Sequence, residues 1–160
     1  LPFTEDMSLK NKYIFNFAIN FIIEKLAKCK KYNIQLALEL DLNPEDIKIL
    51  LETIDSDFIG INYDIGNSAS LGFNLKEEFK FYSSKIIDIH VKDRVLNGGP
   101  CLLGTGDANL VQAAFEINKL NFKNPIIFQS FRDQKGLDIT LNQINWFIQI
   151  LDNNFSIENP

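Results

Sequence analysis

Phe58-Ile59-Gly60-Ile61-Asn62-Tyr63-Asp64 is a short, mostly apolar run that ends on a carboxylate, and Ile65-Gly66-Asn67 follows it directly. Runs of this length, rich in β-branched and aromatic residues, form strands that are buried on both faces. The pattern recurs on either side. Ile34-Gln35-Leu36-Ala37-Leu38-Glu39 precedes it, Lys85-Ile86-Ile87-Asp88-Ile89-His90-Val91 comes next, and Pro125-Ile126-Ile127-Phe128-Gln129 is the fourth. Helical patterns separate these runs. Residues 10–32 carry Ile14, Phe17, Ala18, Phe21, Ile22 and Ala27 at spacings that predict one apolar helix face. Asn43-Pro44-Glu45-Asp46 predicts a helix to about Ile54, because Asn caps, Pro tolerates the first turn and the acids complement the dipole. Further helices are expected from Asn74 to Ser84, from Asn109 to Leu120 and from Thr140 to Leu151. Strand and helix in alternation imply βαβ units and a parallel α/β sheet.

Composition narrows the function. The chain has 160 residues, 46% hydrophobic and 23% charged, which is an ordinary globular balance. A net charge of -5 lacks the basic footprint that nucleic acid requires, so no nucleic-acid partner is expected. The two cysteines, Cys29 and Cys101, make neither a disulfide framework nor a zinc finger, and they fit a reducing cytoplasm. No apolar run is long enough to span a bilayer, so no membrane partner is expected either.

The chemistry lies at the strand ends. Glu39, Asp64, His90 and Gln129 terminate the four runs, with gaps of 25, 26 and 39 residues. Right-handed crossovers put all strand C-termini of a parallel sheet on one rim, so four side chains remote in sequence converge on one mouth. Three oxygen donors and one nitrogen suit a divalent cation, and Mn2+, Mg2+, Co2+ and Zn2+ all remain open. Each residue also has a plainer reading: Glu39 as a solvated acid, Asp64 as an Asx-turn residue, His90 as a hydrogen-bonded structural histidine and Gln129 as a neutral amide. Lys92, Arg94 and Arg132 place cations on the same rim, where they either bind phosphate or pair with Asp93 and Asp133. Asn67 either holds a ligand or substrate hydroxyl or completes its turn. Asn97-Gly98-Gly99-Pro100 and Gly104-Thr105-Gly106 read as a flexible segment over the mouth.

Four motifs in order, Tyr63-Asp64-Ile65-Gly66-Asn67-Ser68-Ala69-Ser70, Ile89-His90-Val91-Lys92-Asp93-Arg94, Leu103-Gly104-Thr105-Gly106-Asp107 and Ile127-Phe128-Gln129-Ser130-Phe131-Arg132, resemble the xylose isomerase-like TIM-barrel superfamily. The likeness is to its sugar-phosphate isomerase and epimerase branch, which includes L-ribulose-5-phosphate 3-epimerase and hexulose-6-phosphate isomerase-like proteins. It implies a (β/α)8 barrel with a divalent metal held by Glu39, Asp64 and His90, with Gln129 in the place of a fourth, glutamate ligand. It further implies proton transfer next to a carbonyl through a metal-stabilised enediolate, with Glu39 and the residue at 129 as catalytic groups. The substrate would be a sugar or sugar phosphate contacted by Asn67, Lys92, Arg94 and Arg132.

An amide cannot take and return a proton, so Gln129 counts against two-base epimerisation and leaves a one-base isomerase or a non-catalytic sugar-binding remnant in view. An apurinic-site endonuclease of the related barrel type would need several histidines, and this chain has one. A full barrel takes about 250 residues. The expectation is therefore a single partial domain over residues 1–160, roughly the C-terminal half of a barrel with its N-terminal strands missing and Leu1-Pro2-Phe3 as the tail of one. Such a half is expected to associate into a homo-oligomer.

Overall fold

Asparagine starts four of the helices. In the computed structural model, which describes residues 1–129, 131, 134 and 136–157, Asn11, Asn43, Asn74 and Asn109 each accept backbone N–H groups at the N-termini of α1 (Lys12–Tyr32), α2 (Pro44–Ile54), α4 (Leu75–Tyr82) and α5 (Leu110–Lys119). A side-chain acceptor at this position satisfies donors that the helix cannot. Asp64 does the same for a short helix, α3 (Ile65–Ser70), which the sequence pattern had shown only as a turn. Helix α6 (Leu137–Ile157) begins three residues earlier than its periodicity indicated.

Among the described residues, five strands form one parallel sheet in the order β1 (Pro2–Phe3), β2 (Leu36–Leu40), β3 (Ile59–Asp64), β4 (Ile86–Val91) and β7 (Ile126–Phe128). This is an α/β arrangement of successive (β/α) units, with Pro2 and Phe3 paired in parallel to Glu39 and Leu40 of β2. Tyr63, Ile61, Leu38, Ile89 and Val91 turn toward the helices and are buried there with Leu50, Phe79, Ala113 and Phe147. Removing such a side chain costs about 2–5 kcal/mol.

The register contains one irregularity. Ile61 pairs with Ile86 but Asn62 pairs with Asp88, so Ile87 is an extra residue in β4. The bulge resets the alternation, leaving Ile86 and Ile89 both in the core while Asp88 and His90 share the opposite face. Gly60 faces it. A Cβ there would lie 2.7 Å from the Ile87 side chain, so no larger residue fits beside the bulge.

Two expectations change. On α1, Ala18 and Ile22 are buried, but Phe17 and Phe21 are exposed and stack on each other with centroids 6.3 Å apart, and Ala27 is also exposed. The helix sits with its Ala18/Ile22/Cys29 stripe inward, and a run with apolar residues all round cannot announce which stripe that is. The segment after β4 is not a free flap. It forms an antiparallel ribbon of β5 (Asp93–Arg94) and β6 (Pro100–Cys101).

Candidate metal centre

Glu39, Asp64 and His90 come together where the chain order of the strands puts them. Glu39 lies one residue before the end of β2, Asp64 ends β3, and His90 pairs directly with Asp64 from β4. One ligand atom from each lies within 4.8 Å of the others. Bonds from such atoms to a divalent cation run about 2.1 Å, so their separation approaches twice that length and small side-chain rotations close it.

Asp64 is divided between two tasks. Its Oδ1 accepts the Asn67 N–H at 2.8 Å and caps α3. Its Oδ2 is buried and accepts no hydrogen bond, with the Lys92 ammonium 3.6 Å away and the side chain only 1% exposed. A carboxylate oxygen withdrawn from water and left without a donor is costly unless a cation completes it. The donor set, the spacing and this oxygen together fit a divalent metal.

Asn67 joins the other groups. Its Nδ2 donates to Glu39 Oε1 at 2.7 Å, while its Oδ1 accepts from Arg94 Nη1 at 2.8 Å and from Lys92 Nζ at 3.3 Å. The capped turn of α3 aims it, and Gly66 lets that turn approach β4, since a Cβ would lie 2.9 Å from the Lys92 carbonyl oxygen. Gln129, one residue beyond β7 and exposed, places Nε2 2.8 Å from His90 Nδ1 and accepts from Lys92 Nζ at 3.3 Å. Arg94 is not paired with Asp93. Its Nε and Nη2 donate to the Gly98 carbonyl at 3.0 and 2.8 Å. Arg132 lies outside the described residues, as do Ser130 and Asp133.

Three residues escaped the sequence reading. Asp93, 1% exposed, accepts the N–H groups of Gly104 and Gly106 at 2.9 Å and of Ala108 at 3.1 Å, which fastens the loop beyond the ribbon. Asn62 donates to Glu39 Oε2 at 3.4 Å. Asp88 faces His90 from the same strand, its Oδ2 3.5 Å from Nε2. Asp88 and His90 stand two residues apart in β4, so the ordinary alternation of a strand puts them on one face. A cavity of about 340 Å³ opens beside the cluster, bordered by Thr4, Glu39, Asp41, Asn67, Lys92 and Arg94.

Helix α4 is tied to the site from behind. Glu78, 2% exposed, accepts hydroxyl hydrogen bonds from Tyr63 at 2.7 Å, from Tyr82 at 2.8 Å and from Ser68 of α3. Burial raises its carboxyl above the usual range, and the three hydroxyl donors pull the other way.

Residues 17–150 match the model of the xylose isomerase-like TIM barrel, and the chain belongs to that family. It is 30% identical over 92 residues to 3-oxo-isoapionate decarboxylase of Pectobacterium atrosepticum, a stretch that covers 51% of this chain and 34% of that protein. The structure of an L-ribulose 3-epimerase superposes with a TM-score of 0.74 at 14% identity, over 91% of this chain and 57% of that one. A xylose isomerase-like TIM barrel protein from Mycobacterium smegmatis, in complex with magnesium, superposes with a TM-score of 0.68 at 19% identity, over 90% of this chain and 52% of that one. The chain thus spans about a third of the decarboxylase and a little over half of these barrels. No helix among the described residues is long and apolar enough to cross a membrane.

Proposed function

We propose that the chain carries the metal-binding rim of a sugar isomerase-type enzyme that moves a proton next to a carbonyl. The observation that supports this most is the buried, donor-free Asp64 Oδ2 beside Glu39 and His90. Glu39, Asp64 and His90 would hold the cation and the Gln129 amide oxygen would complete the set. A divalent cation supplies polarisation of the substrate carbonyl and neutralises charge developing on its oxygen.

The protein's own groups supply the rest. Glu39 is held from both sides by Asn62 and Asn67, which suits a carboxylate that removes a proton from one carbon and returns it to the neighbouring one. Gln129 has no proton to exchange, so the reading is a one-base isomerisation through an enediolate rather than a two-base epimerisation. Asn67, Lys92 and Arg94 border the 340 Å³ cavity and suit a hydroxylated ligand, a sugar or sugar phosphate, with Arg132 a further candidate for a phosphate group. The remaining strands of the barrel would come from further chain or from a second copy. Cys29 and Cys101 are free thiols, which supports a cytoplasmic setting.

The test is solvent-deuterium incorporation into a panel of pentuloses, hexuloses and their phosphates, with protein loaded with Mn2+, Mg2+, Co2+ or Zn2+. Exchange at the carbon next to the carbonyl is expected. Absence of exchange across the panel sinks the isomerase reading and leaves sugar binding without turnover.

A second reading is decarboxylation of a 3-oxo sugar acid, favoured by Gln129 and by the likeness to 3-oxo-isoapionate decarboxylase. There the bond to the carboxyl carbon breaks, its electron pair passes to the carbonyl oxygen, and the carbon takes one proton as carbon dioxide leaves. One acid suffices and no second base is needed. Release of carbon dioxide from a 3-oxo sugar acid, without exchange into ketoses, selects this reading.

A further inference from the structure

Asp88 is a half-buried carboxylate whose Oδ1 is withdrawn from solvent and accepts no hydrogen bond, and whose Oδ2 lies 3.5 Å from Nε2 of the His90 ring. It lies one level below the cluster, beside Asn62 across the strand pair and two residues before His90 on the same face of β4. Nothing in the proton-transfer reading uses it.

The contacts of the imidazole decide its tautomer. Gln129 Nε2 lies 2.8 Å from Nδ1, and an amide NH2 only donates, so Nδ1 carries the lone pair. Asn62 Nδ2 is 3.3 Å from Nδ1 and 3.2 Å from Nε2 and favours neither nitrogen. The proton then sits on Nε2, the nitrogen 3.5 Å from Asp88 Oδ2. A carboxylate behind a ligand histidine sets which nitrogen faces the metal and raises its basicity.

We infer that Asp88 is a positioning residue: it holds His90 as the Nε2–H tautomer and leaves Nδ1 as the lone-pair nitrogen for a cation at the cluster. The inference rests on the metal-site reading for its purpose, but not for its geometry. It also explains the cost of leaving Asp88 Oδ1 in the interior without a donor, because the same carboxylate gains a charge-assisted bond as the ring shifts onto a cation.

His90 is the sole histidine of the chain, so its ring nitrogens can be read without assignment. Protein labelled with 15N-histidine, held at a pH where the imidazole is neutral, is examined by long-range 1H–15N correlation as wild type, Asp88→Asn and Asp88→Leu. Circular dichroism selects the variants that fold, and Asp88→Asn is the nearly isosteric fallback if Asp88→Leu does not. Wild type should show the Nε2–H pattern. Asp88→Leu should show a mixture of tautomers, and Asp88→Asn should shift toward one.

Calorimetric titration with Mn2+ or Zn2+ should show affinity 10–100-fold weaker in Asp88→Leu. A wild-type Nδ1–H pattern overturns the inference, as does a tautomer ratio indifferent to both substitutions. If the tautomer follows Asp88 while wild type binds neither ion, the positioning claim stands and the metal reading fails. If the ions bind equally well to wild type and Asp88→Leu, the site holds metal without help from Asp88 and the inference is overturned.

Discussion

Asn67 Nδ2 donates to Glu39 Oε1 at 2.7 Å, and the same side chain accepts from Arg94 and Lys92 through its oxygen. The proposed base is therefore held by a residue whose own position depends on the Asp64 cap, on Gly66 and on the ribbon that Arg94 secures. Replacing Asn67 by Ala removes a hydrogen bond to a charged acceptor, worth about 1.5–3 kcal/mol. Isotope exchange should fall roughly 10–100-fold while the chain remains folded, checked by exchange rates alongside circular dichroism.

Asp64→Asn separates the two tasks of that residue. Asparagine caps a helix about as well as aspartate, so metal-free stability should change by less than about 1 kcal/mol in urea unfolding. Cation-induced stabilisation, about 2.7 kcal/mol at a hundredfold excess over Kd for the wild type, should disappear. Loss of the folded state in metal-free buffer would mean that the ion pair with Lys92, not metal, explains the buried carboxylate.

Gln129→Glu restores a titratable group 2.8 Å from the His90 ring. Exchange with inversion at the carbon next to the carbonyl should appear or rise at least tenfold, because the site then has two bases. Unchanged rates, measured by deuterium NMR of both epimers, would show that a group other than the second base is missing.

Glu78 gives a pH signature separate from catalysis. Burial raises its folded pKa above the ordinary 4.5, so the folded chain holds this proton more tightly than the unfolded chain. Stability from this group is then fully present below the unfolded value and is lost as pH rises through the folded one. Urea midpoints recorded from pH 4 upward should show this decline in the wild type and lose it in Glu78→Gln. Glu78→Ala, which strands three buried hydroxyl groups, should cost about 2–4 kcal/mol at neutral pH.

The outer edges of β1 and β7 have no strand partner among the described residues, and Phe17, Phe21 and Ile127 are exposed. Open parallel edges and uncovered apolar faces promote association. Size-exclusion chromatography with small-angle scattering should find a dimer. A compact, monodisperse monomer would refute the expected pairing.

Much of this arrangement is readable from residue order. Apolar runs too short for helices, separated by Asn-capped periodic segments, require parallel (β/α) units, and the chemistry of winding then sends Glu39, Asp64 and His90 to one rim without any knowledge of contacts. The Ile87 bulge is different. Neither Ile86-Ile87-Asp88 nor its neighbours carry a bulge signal, yet it sets Asp88 opposite Asn62 and leaves Ile86 and Ile89 both in the core. The same holds for the three backbone N–H groups on Asp93, since a carboxylate in a charged run reads as solvated until the loop is seen folded over it.

By itself the sequence determined the fold class, the strand and helix order and the three metal-competent strand ends, because periodicity and capping act over a few residues and winding has one hand. Only the tertiary structure decided which Asp64 oxygen stays free, that Asn67 links Glu39 to Arg94 and Lys92, and which carboxylate faces His90. Those facts depend on side-chain direction and on the packing of neighbouring strands and loops, which no local pattern encodes.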